Sequence, residues 1–66
     1  SGGMLAYNIA VGYEVLGSLD LAKEWAGRAY TAFGLKKGRN YVATLNGLLQ
    51  QQALLEQQMD RDPEFQ

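Results

Sequence analysis

The sequence predicts an all-α fold: an antiparallel hairpin of two helices followed by a long third helix. Two observations carry this. Apolar residues recur at helical spacing in three successive segments. Glycines punctuate those segments: Gly17 with Ser18 ends the first, Gly34 the second, and Gly38 opens the third. A hydrophobic content of 47% over 66 residues fits a folded chain rather than a disordered one.

The first helix is expected from about Met4 to Leu16. Leu5, Ile9, Tyr13 and Leu16 share one face, and Tyr7, Val11 and Val15 occupy another. A helix apolar on more than one face is covered from more than one side. The second helix is expected from Asp20, a candidate cap, to about Phe33, with Ala22, Trp25, Ala26, Ala29 and Phe33 facing inward. Glu24 and Arg28 form an i,i+4 pair. Leu35 to Gly38 reads as a short basic connector. The third helix is expected from Arg39 or Asn40 to about Met59. Its stripe is Tyr41, Leu45, Leu48, Leu55 and Met59, with Gln52 standing where an apolar residue is expected. The domain thus spans residues 4–59. Ser1–Gly3 read as a vector-derived scar and residues 60–66 as a fraying tail.

Gly12, Gly27 and Gly47 lie inside expected helices, at a cost of about 1 kcal/mol each against alanine. Close approach of another helix is the expected compensation, with Gly12 the best case.

Composition narrows the functions. A chain this short buries only about 60% of the surface its unfolded form exposes and needs support. It has no cysteine for disulfides or thiolate metal sites, and no histidine, the commonest general base and metal ligand. Oligomerisation or docking onto something larger is the support that remains. A net charge of −1 favours neither nucleic acid nor an anionic membrane. No run of 18 apolar residues exists, so no membrane insertion is expected. Residues 4–16 are interrupted by Asn8 and Glu14 and lack a basic flank, which argues against a signal peptide. The compartment stays open, cytoplasm or bacterial envelope. The carboxylates Glu14, Asp20, Glu24 and Glu56 form no spaced catalytic motif. No enzymatic activity, cofactor or metal is expected.

The segment Ala6–Gly34 resembles a single tetratricopeptide repeat, a 34-residue helix pair with small residues where the helices touch. Ala10 is the small residue of the first helix, Tyr13 the aromatic three positions on, and Ala22 and Ala29 the alanines of the second. Tyr7, Asn8 and Ile9 match the family's aromatic–Asn–aliphatic run. Ala6, Ala26 and Gly34 depart from the family's usual Trp, aromatic and Pro. The third helix resembles the extra helix that caps such arrays. The resemblance implies protein–protein interaction or scaffolding, as the terminal repeat of a larger protein. It makes Tyr7, Asn8 and Val11 candidate contacts for a protein or peptide partner. A purely structural self-association domain is the alternative.

Lys36, Lys37 and Arg39 form a basic cluster near the start of the third helix, a third candidate as a small anion site. The third helix overshoots the hairpin by nearly two turns, at 1.5 Å per residue. Leu54, Leu55 and Met59 lie in that overshoot with little in their own chain to cover them, so a homodimer or a neighbouring repeat is expected there. Gln52 is the candidate for fixing the register of such a pairing.

Overall fold

The computed structural model describes residues 1–61, and its order is α1 (Gly2–Val15), α2 (Leu19–Thr31) and α3 (Lys36–Arg61). The fold is all-α, a helix hairpin plus a long third helix. α2 packs against both other helices. α3 returns along α1, with Leu35 near Gly3 and Tyr41 beside Tyr7.

The two turns are built by glycine. Gly17 has φ 82°. Its N–H donates to the Glu14 carbonyl and the Ser18 N–H to the Tyr13 carbonyl, each at 2.9 Å. That pair of bonds is the Schellman ending, which needs a left-handed residue. Gly34, at φ 72°, ends α2 in a wider loop, where the Leu35 N–H reaches the Ala29 carbonyl at 3.0 Å.

Five boundaries differ from the sequence expectation. α1 starts at Gly2, because the Ser1 carbonyl accepts the Leu5 N–H at 3.1 Å. Gly3 is buried, and a Cβ there would sit 3.2 Å from the Cβ atoms of Phe33 and Leu35. Ser1–Gly3 therefore cannot be set aside from the fold. α2 is capped at Ser18 through its carbonyl, with Asp20 in the first turn, and it ends at Thr31. Phe33 then lies in the turn and is 58% exposed rather than inward. The basic connector is in fact the first turn of α3, which contains Lys36, Lys37 and Gly38. At the far end Asp60 and Arg61 are helical, not tail. The rest of the expected tail, 62–66, lies outside the described residues.

The core is thin and made of alanine. Ala10, Ala22, Ala26, Ala29 and Leu45 have no exposed surface, and Ala6 has 3%. Leu45 is the only large side chain among the described residues that is fully buried. Tyr13, Leu19, Trp25, Tyr41, Val42 and Leu48 pack around it, half-buried. Small residues let the helix backbones approach, and the larger side chains close the edges.

Gly38 marks the tightest crossing. A Cβ on it would lie 2.6 Å from the Ala26 carbonyl oxygen. Gly47 is the opposite case, an exposed helical glycine with nothing within 4 Å of where a Cβ would be. Gly47→Ala is expected to raise stability by up to about 1 kcal/mol. For a domain this size that lifts the melting temperature by about 4–8 °C, readable by circular dichroism.

Among the described residues no helix is long and apolar enough to cross a membrane. The molecule is elongated, 50 × 18 × 12 Å, because α3 runs well past the hairpin.

Candidate functional site

The outward half of α1 is the surface that departs most from an ordinary helix exterior. Its exposed residues are Leu5, Asn8, Val11, Gly12, Val15 and Leu16. Asn8 is the one polar side chain among them. Leu5 is 64%, Val15 81% and Leu16 77% exposed. The exposed residues of α2, by contrast, include Asp20, Lys23, Glu24, Arg28 and Thr31, a solvated face. Arg28 and Glu24 pair there at 2.8 Å as expected. At that exposure the pair contributes roughly 0.2–0.5 kcal/mol.

Ile9, Gly12, Tyr13 and Leu16 line a shallow groove of about 330 Å³ on α1. Its floor opens at Gly12, where an added Cβ would meet nothing within 4 Å. The close approach expected at Gly12 is therefore absent within this chain. The helix keeps a glycine, at a cost in helix stability, on a face that nothing here covers.

The candidate contacts Tyr7, Asn8 and Val11 are divided by the structure. Asn8 and Val11 stay on the open face. Tyr7 is half-buried in the seam between α1 and α3, its ring centroid 5.2 Å from that of Tyr41. Lys37 holds its Nζ 4.6 Å from the centroid of the same ring. Tyr41 also donates its hydroxyl hydrogen to Glu14 Oε1. Burial, and then the Glu14 carboxylate accepting that bond, hold the Tyr41 phenol well above its usual range. Glu14 is the only charged residue of α1, so its pairing leaves the helix's open face without charge. The sequence carries no local signal for this contact, since the two residues are 27 positions apart.

The basic cluster is not gathered into one site. Lys37 leans over Tyr7 on α1, while the Arg39 guanidinium lies 5.3 Å from the ring centroid of Tyr30 on α2. Lys36 is exposed beside them. Among the described residues no group of three or more Asp or Glu is placed to hold a metal ion. The overshoot candidates are open, with Leu54, Leu55 and Met59 at 54, 56 and 64% exposure. Gln52 is exposed among them.

No curated protein and no solved structure matches the chain. A family model does match, over residues 2–53, taking in α1, α2 and α3 as far as Ala53. The chain therefore belongs to the family described as "Domain of unknown function (DUF6340)".

Proposed function

We propose that this chain is a non-enzymatic protein–protein interaction module, with the outward face of α1 as its contact surface. The observation that carries the reading is the uncharged apolar face of Leu5, Ile9, Gly12, Val15 and Leu16, crossed by an open groove. Exposed apolar faces of this kind mark places where another surface packs. An amphipathic helix laid across Gly12 is the occupant whose shape suits it. Support for a tetratricopeptide-type arrangement comes from the alanines. Ala10, Ala22 and Ala29, the small positions of that repeat, have no exposed surface. In such an array α1 would stack on a preceding repeat, and α3 would be the closing helix. The anion reading is disfavoured, because Lys37 and Arg39 lean on rings of different helices.

The test is differential capture of partners by the wild type and by Leu5→Glu and Leu16→Lys. Glutamate in the first turn and lysine at the last suit the helix dipole, so these exposed positions keep the fold. Partners of this face should be lost by about tenfold or more, the equivalent of 1.4 kcal/mol. A Lys23→Ala control on α2 should leave them bound. Equal capture by all four proteins would remove α1 as the site.

A further inference from the structure

We draw no further inference here: the strongest candidate, the exposed face of Leu54, Leu55 and Met59 on the projecting half of α3, is an unpartnered apolar surface, and nothing in the structure shows what covers it.

Discussion

Leu45→Ala is expected to leave most molecules unfolded at room temperature. Among the described residues Leu45 is the one large side chain with no exposed surface, and the other hydrophobic residues buried with it are alanines. A Leu→Ala change in a core costs about 2–5 kcal/mol, since the neighbours close the cavity only in part. A single core in a chain of this size supplies roughly 3–5 kcal/mol in total. One substitution is therefore comparable with the whole stability. Urea titration followed at 222 nm should show a midpoint near zero denaturant, against a clear folded baseline for the wild type. Leu54→Ala, at a position 54% exposed, should move the midpoint little at low protein concentration. A Leu45→Ala midpoint matching wild type would mean the alanine contacts hold the hairpin without their plug.

Gly38→Ala should also destabilise, against the direction of helix propensity. Inside a helix alanine is favoured over glycine by about 1 kcal/mol. At Gly38 the added Cβ would sit 2.6 Å from the Ala26 carbonyl oxygen, 3.0 Å from the Ala29 Cβ and 3.1 Å from the Tyr30 nitrogen. Two of those neighbours are backbone, so relief requires α3 to move away from α2. Overpacking of this kind costs about 1–3 kcal/mol, and the separation also loosens the contacts of Leu45. The net expectation is a fall in melting temperature of about 4–8 °C or more. Gly47→Ala, the same substitution on the same helix, should raise it. Shifts of the same sign at both glycines would show that propensity, not the crossing, governs α3.

These two glycines show how far the fold was legible in the sequence. Three helices, their order and the alanine contacts follow from apolar spacing and small residues. Gly17 and Gly34 stand in the turns, where their positive φ is needed. The starts of α1 and α3 are harder to read, because both lie against segments far along the chain. Gly3 is helical and buried because Phe33 and Leu35 lie against it. Gly38 is a glycine because the Ala26 carbonyl leaves no room for a Cβ, although by spacing along the chain it reads as the end of a connector. The candidate site divides the same way. The two-sided apolar character of α1 is visible in the sequence and becomes an open face in the structure. That Tyr7 turns into the seam, and that Glu14 meets Tyr41, depends on α3 returning along α1. Local spacing carries no such information. Likewise Lys37 and Arg39 look like one cluster along the chain, but aromatic rings on different helices draw them apart.

The unbroken length of α3 has one more consequence. Its first half packs against the hairpin, and its second half continues the same helix without a break. Whatever grips the free end is thereby held at a set distance and bearing from the open face of α1. The count of residues between Leu48 and Leu55 is the setting. One residue added there would advance the seam by about 1.5 Å and swing it by about 100°. Were both surfaces occupied, their relative azimuth would be set by helix length rather than by a linker.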